Sequence, residues 1–110
     1  MLTVEHFEIG GDILSFQQDE ATIGRCRVVP SYYIAGALEL WEFGIVGKYR
    51  GLGFGQQFLK EVIAYYPKQT IVLFVLKENK RALHIYHKLG FKITGLYRGG
   101  DYAWEMRLEQ

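Results

Sequence analysis

Apolar and polar residues alternate along much of the first half of the chain. Between Ala21 and Val29, small or apolar side chains at positions 24, 26 and 28 alternate with Arg25 and Arg27, which is the period of a strand with one buried face. The turn signal Gly10-Gly11-Asp12 separates the first two segments of this kind. The predicted strands cover residues 2–8, 13–18, 21–29 and 38–46.

The second half of the chain combines helical and strand patterns. Apolar residues spaced three and four apart predict a helix over about residues 55–65, and Pro67 helps to stop it. An apolar run within residues 70–76 is typical of a strand buried on both faces. A second helix is predicted over about residues 79–88, with Gly90 as its C-cap. Strands over 91–97 and 102–108 complete the pattern, which predicts a mixed α/β sheet.

Composition narrows the class of protein. A length of 110 residues, with 49% apolar and 23% charged residues, predicts one ordinary globular domain over residues 1–110. A net charge of +1 gives no reason for bulk attraction to nucleic acid or to an acidic membrane. Neither a membrane-spanning run nor a secretion signal is visible, so we expect a cytoplasmic protein. Cys26, the single cysteine, excludes an internal disulfide and is predicted to be a core residue rather than a nucleophile.

Three glycines, Gly51, Gly53 and Gly55, stand between the fourth predicted strand and the first predicted helix. Such a turn leaves backbone N–H groups free at the positive end of a helix dipole, which is an anion site and most often a phosphate site. The dinucleotide fingerprint does not fit because Gln56 replaces its third glycine, and no Gly-Lys-Ser or Gly-Lys-Thr forms a P-loop. The alternative is a turn whose glycines serve only chain geometry.

Two motifs, in the right order, resemble signatures of the GNAT acetyltransferase superfamily. Residues 50–55, RGLGFG, resemble its Q/R-x-x-G-x-G/A pyrophosphate loop, and residues 79–91, NKRALHIYHKLGF, resemble N-x-x-A-x-x-x-Y-x-K-L-G-F position for position. The resemblance covers residues 37–108. It implies a GNAT-like acyl-CoA N-acyltransferase fold, with a mixed, mostly antiparallel sheet and two helices. It also implies an enzyme that transfers an acetyl group from acetyl-CoA to a primary amine. The alternative is a CoA-binding module of this fold without turnover.

The resemblance implies a set of cofactor-binding residues. The end of the fourth strand would pair with the pantetheine arm, and the glycine loop would hold the pyrophosphate. Asn79 would bind the pantetheine amides or act as a helix N-cap. The basic cluster of Lys77, Lys80 and Arg81 would meet the ribose 3′-phosphate, and the alternative is a solvated charged face. No metal is predicted, because no third ligand accompanies His84 and His87. The implied residues are Ile45, Val46, Gly47, Arg50, Gly51, Leu52, Gly53, Phe54, Gly55, Gln56, Asn79, Arg81 and Tyr86.

The implied reaction needs a base and an acid. An alkylamine with a pKa of about 10.4 costs about 4 to 5 kcal/mol to deprotonate at pH 7. Glu39 and Glu42 are candidate general bases, with solvent-exposed strand carboxylates as the alternative. Being three residues apart, they are predicted to point to opposite faces, so that at most one faces the substrate. Tyr86 holds the family's general-acid position, and the alternative is a core aromatic.

The end of the fourth strand carries a further expectation. Gly44 and Gly47 indicate a bulge or a close backbone approach there. A backbone N–H that a bulge frees near Ile45 or Val46 is expected to stabilise the oxyanion of the tetrahedral intermediate, an effect typically of ~3 kcal/mol.

The turn between the first two strands leaves no space for the helices that GNAT domains usually carry there. Those helices form a wall of the acceptor pocket, so either the pocket is open or a second copy supplies the wall, and we expect a homodimer. The expected partners are acetyl-CoA and a small amine or peptide amine, without nucleic acid or membrane. Four aromatic residues suggest the mouth of the acceptor pocket without identifying the amine: Tyr32, Tyr33, Tyr102 and Trp104.

Overall fold

The computed structural model describes residues 1–7 and 10–110. In this part of the chain, seven strands, two α-helices and one short 3-10 helix follow one another. The strands are β1 (Leu2–Phe7), β2 (Gly11–Gln18), β3 (Ala21–Pro30), β4 (Ala37–Ile45), β5 (Thr70–Leu76), β6 (Lys92–Leu96) and β7 (Ala103–Leu108). The helices are α1 (Phe54–Tyr65) and α2 (Lys80–Lys88), and the 3-10 helix covers Gly47–Tyr49.

One sheet holds all seven strands in the order β1-β2-β3-β4-β5-β7-β6. Among the strands of the described residues, only β4 and β5 are parallel neighbours, and α1 forms the crossover between them. The predicted mixed, mostly antiparallel sheet with two helices is confirmed, and both helices lie within one residue of their predicted bounds. The first predicted strand ends at Phe7, and its residue 8 lies outside the described residues.

Both helices pack on the same face of the sheet. The crossovers through α1 and α2 move across the sheet in the same direction, and right-handed crossovers then place both helices on one side. The ring of Phe58 in α1 stacks on Phe16 and on Phe43, with centroids 5.4 and 4.9 Å apart. A Cβ on Gly24 would lie 2.9 Å from the Phe58 ring, so glycine is required for this packing. We call the opposite side of the sheet the open face.

Cys26 belongs to the hydrophobic core that also contains Phe16 and Phe58, and 1% of its surface is exposed. Desolvation by burial raises the pKa of its thiol to about 12. A thiol in this environment stays protonated near neutral pH and is a poor nucleophile. The prediction that Cys26 is a core residue is therefore confirmed.

Strands β4 and β5 separate partway along their length. Their pairing runs from Ala37 opposite Thr70 to Leu40 opposite Leu73 and then stops, whereas β5 stays paired with β7 as far as Leu76. The separation of β4 from β5 coincides with a bulge in β4, where the register with β3 shifts between Arg25 and Arg27.

The bulge lies earlier in β4 than the sequence indicated. Arg25 pairs with Gly44 and Arg27 pairs with Trp41, so that Glu42 and Phe43 together oppose Cys26. Glu42 has a φ of 56°, a left-handed conformation that is uncommon for a residue other than glycine. The predicted bulge at Gly44 to Gly47 is therefore corrected to Glu42 and Phe43. A bulge bends its strand and increases its twist, which accounts for the separation of β4 from β5.

Candidate active site

The N-terminus of α1 forms the centre of the candidate site. Gly53 is its N-cap residue with a φ of 87°, and no side chain in the described part of the chain caps the helix. The first backbone bond of the helix runs from the Gln57 N–H to the Gly53 carbonyl, at 3.2 Å. The preceding N–H groups, including those of Gly55 and Gln56, therefore have no partner within the helix. We call this group of N–H donors the cradle.

A cleft of about 500 Å³ opens in front of the cradle. It brings together most of the predicted cofactor-binding residues, from β4, the glycine loop and α2: Ile45, Arg50, Gly51, Gly53, Gly55, Gln56, Asn79, Arg81 and Tyr86. Four predicted residues do not line it within the described part of the chain: Val46, Gly47, Leu52 and Phe54. Phe54 packs instead against Phe16 and Tyr49, with ring centroids 6.4 and 6.1 Å apart.

Two guanidinium groups add positive charge to this cleft. Arg50 donates from Nε to the carbonyl oxygen of Ile45 at 2.9 Å, which holds it beside the end of β4. Arg81 on α2 places Nη2 3.4 Å from the position that a Cβ on Gly51 would occupy. Neither arginine forms a salt bridge with the described residues. The cleft therefore combines free N–H donors, a helix dipole and two unpaired cations, which suits a polyanionic ligand.

A smaller cavity of about 230 Å³ lies between the separated parts of β4 and β5. We call it the gap. Phe43, Asn79 and Tyr86 line both the gap and the cleft, so the two form one continuous path. A ligand held at the cradle can therefore extend between the strands.

Asn79 has the N-cap role that the sequence offered as one alternative. Its side chain accepts a hydrogen bond from the Ala82 N–H at 3.2 Å, at the start of α2. This bond orients the side-chain amide, and its NH₂ group remains available to donate to a ligand in the path.

Tyr86 is half-buried on α2, and its ring lies 6.0 Å from that of Phe91. Burial, and to a lesser extent the negative charge that Cys26 would carry, raises the pKa of the Tyr86 phenol. The hydroxyl is therefore protonated at neutral pH and is available as a neutral proton donor inside the path.

The two candidate bases have different surroundings. Glu39 is buried, with 4% of its surface exposed, whereas the Glu42 side chain is 71% exposed and pairs with Arg27 at 3.3 Å. Arg27 is in register with Trp41, and Trp41 lies on the open face, as Glu39 does. The Glu42 carboxylate that pairs with Arg27 therefore also lies on the open face. The prediction that the carboxylates face opposite sides was wrong, because the left-handed φ of Glu42 breaks the strand alternation. Glu42 lines the gap, and Glu39 does not.

The backbone N–H groups at the end of β4 differ in part from the expectation of a free donor. The Val46 N–H donates to the carbonyl of Ile23 at 2.8 Å, so it is not free, and the expectation at this residue was wrong. Successive N–H groups of an extended strand point to opposite sides. The Ile45 N–H therefore points away from β3, towards the side on which β5 has separated.

Sequence reasoning missed the side chains around Glu39 on the open face. Arg98, in the turn between β6 and β7, reaches Glu39 at 3.3 Å, and Trp41 donates from Nε1 at 3.0 Å. The spacing of Glu39 and Trp41, two apart on a strand, was a usable signal for Trp41. No local pattern connects Arg98 with a residue 59 positions earlier.

The predicted aromatic mouth is only partly assembled. Tyr33 lies against Arg98, with the guanidinium carbon 3.8 Å from its ring centroid, and Tyr102 packs near Tyr97. Trp104 lies elsewhere: it pairs with buried Val75 on the helix side, and the Lys77 ammonium sits 4.4 Å from its ring centroid.

Among the described residues, no group of three histidine, cysteine, aspartate or glutamate side chains is arranged to hold a metal ion. The helices of the same part of the chain are too short or too polar to span a membrane.

The chain is similar to a protein family and to an individual phage enzyme. The model of the acetyltransferase (GNAT) family matches residues 5–91. The 5-NmdU N-acetyltransferase of Pseudomonas phage PaMx11 is 31% identical over 62 residues, which are 56% of this chain and 44% of that protein. The chain thus matches less than half the length of this relative.

Solved structures extend the comparison of the fold. Mutant forms of the spermidine/spermine N-acetyltransferase SpeG from Vibrio cholerae match with a TM-score of 0.78 at 22% identity, over 94% of this chain and 69% of that one. The PaiA N-acetyltransferase from Thermoplasma acidophilum, in complex with coenzyme A, matches with a TM-score of 0.74 at 22% identity, over 89% and 60%. At this level of identity the matches show a shared fold.

Proposed function

Since the chain belongs to the GNAT acetyltransferase family, we propose that it transfers an acetyl group from acetyl-CoA to a primary amine by direct attack in a ternary complex. The observation that carries this proposal is the continuous path from the uncapped N-terminus of α1 into the gap between β4 and β5. In this proposal the cradle binds the diphosphate, Arg50 and Arg81 balance its charge, and the pantetheine arm lies along the gap. The presence of coenzyme A in the structure of a related fold supports the choice of ligand.

The proposed acceptor is a small amine or a peptide amine. An amine of pKa about 10.4 must lose a proton before attack, at a cost of about 4 to 5 kcal/mol at pH 7. We assign the base to Glu42, acting directly or through water, because it lines the gap and its carboxylate is exposed. Glu39 is less suited because its oxygens already accept hydrogen bonds from Ser31, Trp41 and Arg98.

The remaining groups serve the intermediate and the leaving group. The amine nitrogen attacks the thioester carbon, and the Ile45 N–H donates to the oxyanion, an effect typically of ~3 kcal/mol. The nitrogen of the tetrahedral intermediate releases its second proton to solvent, which leaves a neutral amide. When the C–S bond breaks, the thiolate takes a proton from the Tyr86 hydroxyl, and Tyr86 regains one from solvent. Burial raises the pKa of the Tyr86 phenol, and it also disfavours a thiolate in the same path, so the transfer moves one negative charge from sulfur to the phenolate. The proton that Tyr86 regains from solvent then removes this buried charge.

Tyr86→Phe tests this assignment. General-acid catalysis typically contributes 10²–10⁴-fold, so we expect kcat to fall by about that factor while the Kd for CoA stays near its original value. The assay is thiol release from acetyl-CoA with a panel of amines, and exposed Tyr65→Phe is the matched control. Unimpaired turnover in Tyr86→Phe would refute the acid role.

The second candidate function is a CoA-binding module without turnover, which the absence of space for helices between β1 and β2 favours. Ligand at 100 times Kd stabilises a protein by about 2.7 kcal/mol, which corresponds to a rise in Tm of about ten degrees or more for a domain near this size. A thermal shift with CoA, absent with ATP and NAD, supports both functions. Thiol release with any amine then favours the enzyme.

We further propose that a second copy covers part of the open face and that the protein acts in the cytoplasm. β1 ends at Phe7 and β2 begins at Gly11, so the interval between them is too short for the helices that would shield the acceptor side. Sedimentation showing only monomer at tens of micromolar would exclude the homodimer.

A further inference from the structure

A buried carboxylate on the open face is surrounded by groups that recognise cations. Glu39 accepts hydrogen bonds from the Ser31 hydroxyl at 2.8 Å and from the Trp41 indole N–H at 3.0 Å. The hydroxyl of Ser31 in turn accepts from the N–H of Tyr33 at 3.2 Å, which holds the loop carrying that ring beside the carboxylate. Phe74 completes the group, with its ring centroid 4.9 Å from that of Trp41. We call Glu39, Tyr33, Trp41 and Phe74 the cation box.

Arg98 occupies this box in the present structure. Its guanidinium carbon lies 3.8 Å from the ring centroid of Tyr33 and 5.0 Å from that of Phe74. A carboxylate with aromatic faces around it is the arrangement that binds organic cations such as ammonium and guanidinium groups. The box is therefore a built cation site whose occupant belongs to the chain itself.

The contact between Arg98 and Glu39 has the features of a replaceable one. A single nitrogen, Nη2, reaches both carboxylate oxygens, at 3.3 and 3.4 Å, without the two parallel bonds of a strong arginine–carboxylate pair. The side chain of Arg98 is 35% exposed and belongs to a surface turn. Glu39, by contrast, is almost completely buried, so loss of the arginine leaves an uncompensated charge that favours another cation.

The box adjoins the proposed reaction path. Trp41 and Phe74 line the gap as well as the box, and Glu39 lies one residue before the last parallel pair of β4 and β5. A cation in the box is thus next to the place where the thioester arm is proposed to lie.

We propose that Arg98 is a displaceable occupant of an alkylammonium site, and that a cationic acceptor binds by replacing its guanidinium between Glu39 and the aromatic rings. This assignment rests on the proposed function for the reaction that follows, but the binding step requires no acetyl-CoA. It makes Arg98 a specificity-determining residue, which selects acceptors whose positive charge competes with its own and disfavours neutral and anionic ones.

The test uses the two indole N–H signals of the 15N-labelled protein. Trp41 reports on the box, and Trp104 on the helix side is the internal control, with Trp104→Phe assigning the signals. n-Butylammonium chloride is titrated at constant ionic strength, and sodium butyrate and n-butanol are the matched anionic and neutral probes. We expect saturable movement of the Trp41 signal with the ammonium salt alone.

Two substitutions then identify the occupant. Arg98→Ala removes the competitor and should tighten n-butylammonium binding about threefold to tenfold, the effect of one partly exposed ion pair with its cation–π contact. Glu39→Gln should abolish the movement of the Trp41 signal. If Arg98→Ala does not fold, Arg98→Gln provides the same comparison. In turnover assays the amine KM should fall with loss of Arg98, whereas the KM for acetyl-CoA should not change.

Weaker ammonium binding in either Arg98 variant, or preferential binding of butyrate by the original chain, would overturn the proposal and make Arg98 an anchor for anionic acceptors. CoA binding is measured separately by calorimetry. Ammonium binding without CoA binding would refute the proposed function and leave the cation site intact, and the reverse result would refute the cation site alone.

Discussion

Gly55→Ala should change stability and cofactor affinity in opposite directions. Gly55 is the second residue of α1, it lines the cleft, and its N–H belongs to the cradle. A Cβ at this position would meet only Cγ1 of Ile45, at 3.7 Å, which is ordinary van der Waals contact. The backbone at Gly55 is not left-handed, unlike that of Gly51 and Gly53. The folded chain can therefore accept the methyl group without strain.

The two effects have separate physical origins. Glycine costs about 1 kcal/mol relative to alanine within a helix, and we expect about half of that at the second position. Stabilisation by about 0.5 kcal/mol corresponds to a rise in Tm of about 2–4 °C for a domain near this size. The added methyl also stands where the backbone must approach the ligand. Loss of one hydrogen bond to a charged phosphate, worth about 1.5–3 kcal/mol, should weaken CoA binding by about 10- to 150-fold.

Differential scanning calorimetry and titration calorimetry with CoA measure the two quantities on the same material. Gln57→Ala is the matched control, because Gln57 is an exposed residue of the same helix and does not line the cleft. We expect little change in either quantity for that variant. A folded Gly55→Ala protein whose Kd for CoA stays within about twofold of the original would refute the placement of the phosphates at the cradle.

Two further predictions concern stability. Tyr66→Phe removes the hydroxyl that donates to the Asp12 carboxylate at 2.5 Å, and loss of this hydrogen bond to a charged group should lower the free energy of unfolding in urea by about 1.5–3 kcal/mol. The control Tyr65→Phe, at an exposed residue, should cost much less. Similar losses in both variants would contradict a stabilising role for the Tyr66–Asp12 hydrogen bond. Burial raises the pKa of the Cys26 thiol to about 12, whereas in the unfolded chain it is about 8.5. The contribution of this thiol to the free energy of unfolding is therefore fully present below about pH 8.5 and falls by about 1.4 kcal/mol per pH unit between the two pKa values. The unfolding free energy should decrease between about pH 9 and 11 more steeply than in Cys26→Ala, and equal slopes would show that the thiol does not titrate differently in the two states.

The sequence by itself determined the elements and the side of the site that we propose for the cofactor. The bounds of both helices and the succession of strands along the chain follow from the periodic spacing of apolar residues, which is a signal contained in short segments. The free N–H groups at the start of α1 follow equally directly, because left-handed glycines and a helix start are adjacent in the chain. The N-cap role of Asn79 is local in the same sense.

Only the tertiary structure decided the side of the site that we propose for the acceptor. The position of the bulge depends on how β3 and β4 fit against each other, and it places Glu42 on the open face against the expectation from strand alternation. The burial of Glu39 depends on Arg98, 59 residues later in the chain, which the turn between β6 and β7 brings to it. Register shifts and long side chains that meet across a sheet are set by contacts between distant segments, and a pattern read along one strand carries no information about them.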